Sequence, residues 1–312
     1  MKLLIINNLA SGFKEGAIYD FMRSFTKDGD ELCVRATDGN TDVATLLDDA
    51  DHFDAVVASG GDGTVAAVAY ALRNTNIPIL PFPAGTANLL SLNLLAPNEP
   101  HGLAKIIREG RTLNFDMGEI TSGDKQYGFV IMAGAGYDAL IMQEAAAHKV
   151  LWGPMAYVSA AVTHLDPQYS EMKLTLDDGS VVETGGIGLL LVNFSKIQFD
   201  IPITHDNKPC DGEMRIVVLK TKNAIELLPA VFSALFDRDG NFPDRSSALE
   251  IFTSKSIHVE ANPPMTIQFD GETAPATTPF DAKVLPSATR IIVGEAGYNE
   301  FACHQANGDC CQ

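Results

Sequence analysis

Between an apolar run and an alanine-rich stretch the chain reads Ser59-Gly60-Gly61-Asp62-Gly63-Thr64, a combination suited to holding a phosphate. Three glycines let the backbone turn tightly and present N–H groups to an anion at the start of a helix, where the dipole also favours negative charge. Asp62 is the odd member, because a carboxylate repels a phosphate unless it binds a metal, orients water or takes a proton. The plainer alternative is a glycine turn with Asp62 or Thr64 capping the next helix. A second loop, Pro81-Phe82-Pro83-Ala84-Gly85-Thr86-Ala87-Asn88, also joins a strand to a helix. On its own it reads as a proline-stiffened turn with Asn88 as the cap. Two acidic turns follow, Asp211-Gly212-Glu213 and Asp270-Gly271-Glu272. The latter comes after the alternating run 265–269, where Asp-Gly is a common hairpin turn.

The elements that must position these loops change character along the chain. Apolar runs at 2–6, 31–36, 54–59 and 78–81 alternate with helical spacings. The helices fall at Ile18, Phe21, Met22 and Phe25, at Val43, Leu46 and Leu47, at 65–73, and from about Asn88 to Gly110 with an interruption at Pro97. Strands alternating with helices imply a parallel sheet. Both glycine loops then lie outside carboxyl ends of strands, where open α/β sheets bind ligands. Beyond Asp116 strand-like runs dominate, at 127–133, 172–176, 186–193, 214–219, 256–260 and 266–269, with helices expected at 138–149, continuing past Pro154, and at 224–236.

Composition excludes several classes. Lys plus Arg is 22 against 40 Asp plus Glu, a net charge of −18 that repels a polyanion, so nucleic acid is not the main partner. The opening apolar run is too short for a signal-peptide core, and the longest uncharged windows, 74–98 and 150–165, are broken by prolines. Five cysteines, with Cys33 and Cys210 far from the rest, suit a reducing compartment and a cytoplasmic protein. Cys303, Cys310, Cys311 and His304 match no common zinc spacing. No GxxxxGK[ST] stretch occurs, which excludes a P-loop kinase.

GGDGT, then PxGTxN, then a β-rich half carrying Asp270-Gly271-Glu272 resembles the diacylglycerol kinase catalytic-domain family, in particular its soluble bacterial lipid kinases, within the NAD kinase/diacylglycerol kinase-like superfamily. The resemblance implies an NAD-kinase-like α/β domain over 1–117, to which 288–312 returns, and a mainly β sandwich domain over 118–287, with the active site in the cleft between them. It implies transfer of the γ-phosphoryl group of ATP to a lipid hydroxyl, diacylglycerol-like, sphingoid or ceramide-like. The nucleotide contacts it implies are Asn8, Ser11, Gly12, Thr37, Gly60, Gly61, Asp62, Gly63, Thr64, Gly85, Thr86 and Asn88. By the same resemblance Asp62, Asp270 and Glu272 would be the catalytic carboxylates, either member of the last pair serving as proton acceptor or magnesium-network ligand, and Asp211 with Glu213 would hold a structural Mg2+.

The same likeness implies transient contact with a membrane surface and is compatible with a homodimer. Leu151, Trp152, Met155, Val158 and Val162 would line a lipid entrance or, at helical spacing, a plain core. Lys105, Arg108 and Arg111 form the one compact basic group, a membrane contact or a solvated helix face. Two positions depart from the commonest family pattern: Leu89 stands where many relatives have Asp, and Asn8 stands where they have Pro. NAD kinases share GGDGT but carry a glycine-phenylalanine-leucine turn where this chain has Gly85-Thr86-Ala87-Asn88. A non-catalytic nucleotide or lipid sensor is the reading from a different class.

Overall fold

The computed structural model describes residues 1–11, 16–136, 167–194, 196–197, 201–202, 209–222 and 248–306. The helices expected at 138–149 and 224–236, and the stretch 150–165, lie outside the described residues. The chain divides into two compact units, one of residues 1–117, 210–212 and 285–312, the other of 118–209 and 213–284.

In the first unit β1 (Lys2–Asn8), β2 (Glu31–Thr37), β3 (Ala55–Gly60) and β4 (Ile79–Pro83) form a parallel sheet in the order β2-β1-β3-β4. Asn8 pairs with Thr37, Asn7 with Ser59 and Gly60 with Pro83, so the carboxyl ends of all four strands share one edge. The central strands are buried throughout because both faces are covered. On one face lie α1 (Ala17–Phe25) and α4 (Pro100–Glu109), whose Ile18, Phe21, Phe25, Leu103 and Ile107 close over Leu3, Ile5, Val57 and Leu80. Phe21, fully buried, meets Phe82 edge to face with centroids 5.6 Å apart, a burial that stabilises by roughly 1.5–3 kcal/mol. α4 starts with proline in its first turn and ends at Gly110 in the left-handed conformation.

α2 (Asp62–Ala71) follows β3, and α3 (Leu89–Asn93) follows β4. The helix expected around Val43–Leu47 is instead a pair of short 3-10 turns, at Val43–Leu46 and Ala50–His52. The Asp42 side chain accepts the Ala44 N–H there and favours a tight turn over an extended helix. α5 (Glu295–Ala306) completes the unit, and its Phe301 meets Phe115 edge-on.

β5 (Thr112–Ser122) leads into the second unit, followed by β6 (Lys125–Phe129), β7 (Met132–Gly136), β8 (Ser170–Leu176), β9 (Val181–Gly186), β10 (Gly188–Val192), β11 (Lys196–Ile197), β12 (Ile201–Pro202), β13 (Met214–Leu219), β14 (Leu249–Ser254), β15 (Ser256–Asn262), β16 (Thr266–Phe269), β17 (Glu272–Thr277) and β18 (Phe280–Ile292). Two sheets, β6-β5-β18-β15-β8-β9 and β14-β13-β10-β7-β16-β17, bury one core, with Ile120, Leu174, Ile257 and Phe280 from the first and Ala133, Leu191, Ile216 and Ile267 from the second. This is a β-sandwich-like domain. The strand expected over 127–133 is broken at Val130-Ile131, whose N–H groups bond to a side chain instead of a neighbouring strand.

Candidate functional site

At the carboxyl edge of the parallel sheet the two glycine loops touch backbone to backbone. A Cβ placed on Gly85 would stand 2.3 Å from Gly61 Cα and 3.0 Å from Gly61 N, so only glycine permits this approach. The Ala84 N–H also donates to the Gly60 carbonyl at 3.1 Å. Asp62 does not cap its own helix; Gly61 holds the cap position of α2, with no side-chain cap bond. The Asp62 Oδ1 instead accepts the Leu90 N–H at 3.1 Å, tying the first loop to the start of α3.

Asn88 occupies the cap position of α3 in the left-handed conformation, φ 51°, yet makes no cap bond. Its side chain turns back on the loop, accepting the Gly85 N–H at 2.9 Å and donating to the Gly85 carbonyl at 2.8 Å. Asn8 is the strut from the next strand: Nδ2 donates to Thr64 Oγ1 at 2.8 Å, and Oδ1 accepts the Ala10 N–H. The buried Thr37 Oγ1 accepts the Gly39 N–H at 3.1 Å. Ser11 closes a turn on the Asn8 carbonyl, and Thr86 is exposed beyond Gly85. The structure thus gathers Asn8, Ser11, Thr37, Gly60, Gly61, Asp62, Gly63, Thr64, Gly85, Thr86 and Asn88 on one edge of the first unit; Gly12 lies outside the described residues.

In the second unit Asp270-Gly271 is the two-residue turn between β16 and β17, with φ 42° and 86° and Phe269 paired to Glu272. The Asp270 side chain does more than turn. Its Oδ1 accepts the N–H groups of Ile131 and Met132 at 2.9 and 3.0 Å, and its Oδ2 that of Val130 at 2.6 Å. Asp270 is 7% exposed, whereas Glu272 is exposed on the hairpin.

Asp211 belongs to the first unit and Glu213 opens a segment of the second, where Glu213 lies 3.7 Å from Arg215. Among the described residues no three His, Cys, Asp or Glu side chains cluster as a metal set. Asp211 does have a carboxylate neighbour in its own unit, Asp116, which sequence reasoning passed over as a boundary marker. Asp116 is 1% exposed and accepts the Gly212 and Ser287 N–H groups, each at 2.7 Å. Burial pushes its carboxyl up to about 6 against those two bonds, and the Asp211 charge adds to the rise. Gly212, next to Asp211, has φ 74°, and a cation beside Asp211 would offset the charge that adds to the rise at Asp116. The available signal was a charge placed between Phe115 and Met117, both buried.

Residues 2–120 match the diacylglycerol kinase catalytic domain and residues 131–293 the YegS C-terminal NAD kinase beta sandwich-like domain. The chain belongs to the diacylglycerol kinase catalytic-domain family. It is 29% identical over 306 residues to a Pectobacterium atrosepticum protein named "Probable lipid kinase YegS-like", covering 92% of this chain and 93% of that one. It is 30% identical over 246 residues to an uncharacterized Synechocystis protein, of whose length it spans 54%. Its fold is shared with a diacylglycerol kinase from Bacillus anthracis, TM-score 0.69, at 20% identity over 95% of this chain and 97% of that one. An NAD kinase from Archaeoglobus fulgidus in complex with ATP has a related fold, TM-score 0.56, at 13% identity over 97% and 98% of the two chains.

The structure gives Leu89 a packing role. Leu89 is 4% exposed in the first turn of α3, beside the peptide that Asp62 holds. The basic group Lys105, Arg108 and Arg111 is no free cationic patch for an anionic bilayer. Lys105 lies 3.7 Å from Glu109, Arg111 pairs with Glu109, and Arg108 pairs with Asp30 while covering the Phe25 ring at 3.8 Å. No helix of the described residues is long and apolar enough to cross a membrane.

Proposed function

We propose that this family member transfers the γ-phosphoryl group of ATP to the hydroxyl of a lipid, diacylglycerol, sphingoid or ceramide in type. The observation that carries the reading is the pair of glycine loops locked together at the carboxyl edge of the parallel sheet, with Asp62 bridging them. Phosphoryl transfer needs position and charge stabilisation more than covalent groups. Backbone N–H groups of Gly61 and Gly63 and the Thr64 hydroxyl hold phosphate oxygens, and Asp62, fixed through one carboxylate oxygen on the Leu90 N–H, supplies the negative charge of the same loop. Asp211 and Asp116 would hold a Mg2+ ion at the 210–212 turn, and a second ion arriving with ATP would supply charge neutralisation on the phosphates.

The lipid oxygen forms a bond to the γ-phosphorus as the bond to the β-bridging oxygen breaks, and the hydroxyl proton passes to a carboxylate. Glu272 suits that role better than Asp270, because three backbone N–H groups already occupy the Asp270 oxygens. The likeness in fold to an NAD kinase in complex with ATP supports the choice of nucleotide. Incubation with γ-labelled ATP, Mg2+ and a panel of diacylglycerol, sphingoid base, ceramide and NAD tests it. Label in a lipid, lost by at least about a hundredfold in Asp62→Asn with unchanged melting, is the expected result. Label in NAD alone, or equal transfer by Asp62→Asn, refutes it.

A further inference from the structure

Val130 and Ile131 are gripped from both sides inside the β-sandwich unit. Their N–H groups, with that of Met132, point to the Asp270 carboxylate. Their carbonyls go to one residue and its neighbour: Asn193 Nδ2 donates to the Val130 carbonyl at 2.7 Å, and the Asn193 and Phe194 N–H groups donate to the Ile131 carbonyl at 2.9 and 3.0 Å. Asn193 is 2% exposed and directly follows β10. The Asp270 N–H in turn donates to the Met132 carbonyl at 2.9 Å, which closes the ring of bonds.

Hydrogen bonds in a buried, low-dielectric setting are stronger than in water, so this ring holds the Val130-Ile131 peptides in one arrangement. The ring is attached to the hairpin turn: with φ 42° at Asp270 and 86° at Gly271, the turn fixes where Glu272 enters β17 opposite Phe269. We propose that Asn193 is a positioning residue for Glu272, holding the Val130-Ile131 peptides so that their N–H groups fix Asp270 and, through the turn, the proton acceptor. The inference rests on the lipid-kinase reading and extends it to a residue remote from the glycine loops in sequence.

A residue that acts only by misplacing a catalytic group by about 1 Å costs on the order of a hundredfold in rate, and its effect disappears once that group is gone. Asn193→Ala, Glu272→Gln and the double variant are compared with wild type by kcat and by KM for ATP. Thr278→Ala serves as control, since Thr278 Oγ1 accepts the Met265 N–H elsewhere in the same unit. Asn193→Ala is expected to lower kcat by about ten- to a hundredfold with KM for ATP unchanged, and to cost less than about twofold more in the Glu272→Gln background. Thr278→Ala lowers melting with kcat kept. If Asn193→Ala does not fold, Asn193→Asp, which keeps the side-chain size, enters the same cycle. Independent, multiplying losses from Asn193 and Glu272 variants overturn the inference, as does an unchanged kcat or the failure of both Asn193 variants to fold. Wild-type protein that labels no lipid overturns the lipid-kinase reading itself, and the inference with it.

Discussion

Gly61 and Gly85 touch, but they are not equivalent, and replacing each by alanine separates the shape of the site from its composition. A Cβ on Gly61 would find Gly85 Cα at 3.7 Å, an ordinary contact, and φ at Gly61 is −80°. A Cβ on Gly85 would lie 2.3 Å from Gly61 Cα, with 3.1 Å to the Asn88 side-chain oxygen. Relief to normal contact requires the loops to part by more than about 1 Å, and both partners are backbone. Overpacking of this kind costs about 1–3 kcal/mol. For Gly61→Ala, a weaker helix start is offset by reduced freedom of the unfolded chain, leaving a net change within about 1 kcal/mol. Chemical denaturation measures both variants, and isothermal titration with ATP measures the site. Gly85→Ala should lose both stability and ATP affinity, Gly61→Ala much less stability. Equal destabilisation by the two, or a fully stable Gly85→Ala, would refute the account of the loop contact.

Three further outcomes follow from the geometry. Leu89→Asp places a carboxylate at a 4% exposed position, so it should destabilise by about 2–5 kcal/mol and do so more at pH 8 than at pH 5, since burial favours the protonated acid; thermal melts at the two pH values check it, and an unaltered melt would contradict the packing role. Asp30 is held below the usual carboxylate range, chiefly by Arg108; its contribution is fully present above pH about 4, where the unfolded carboxyl is also ionised, and is lost as pH falls through the depressed folded value. Arg108→Ala should therefore flatten the acid side of the stability profile, and parallel wild-type and variant curves below pH 4 would count against this pair. Mg2+ should raise the melting temperature of wild type and not of Asp211→Ala, measured in chelator and in excess metal, and equal shifts in both proteins would remove Asp211 from a metal site.

Much of the first unit was legible because it rests on local rules. Alternating apolar runs and helical spacings announced the strands, Gly110 marked the end of α4, and three glycines around Asp62 marked a tight strand-to-helix loop. Asp270-Gly271 was readable as a hairpin turn for the same reason, since positive φ at both positions is a property of the turn itself. The short turns at 43–52 show the limit of such rules, where one Asp42 side-chain bond outweighed a weak helical spacing.

What only the tertiary structure decided is what those side chains hold. Asp62 bonds to the peptide of Leu90, Asn8 to Thr64, Asn88 to its own loop rather than its helix, and Asp270 to three peptides beside β7. Residue types along the chain determined that carboxylates, amides and glycines would be present. Their partners were set by strand order and by the approach of one backbone to another, and those depend on burying whole sheet faces, a cooperative property that no short window of residues contains.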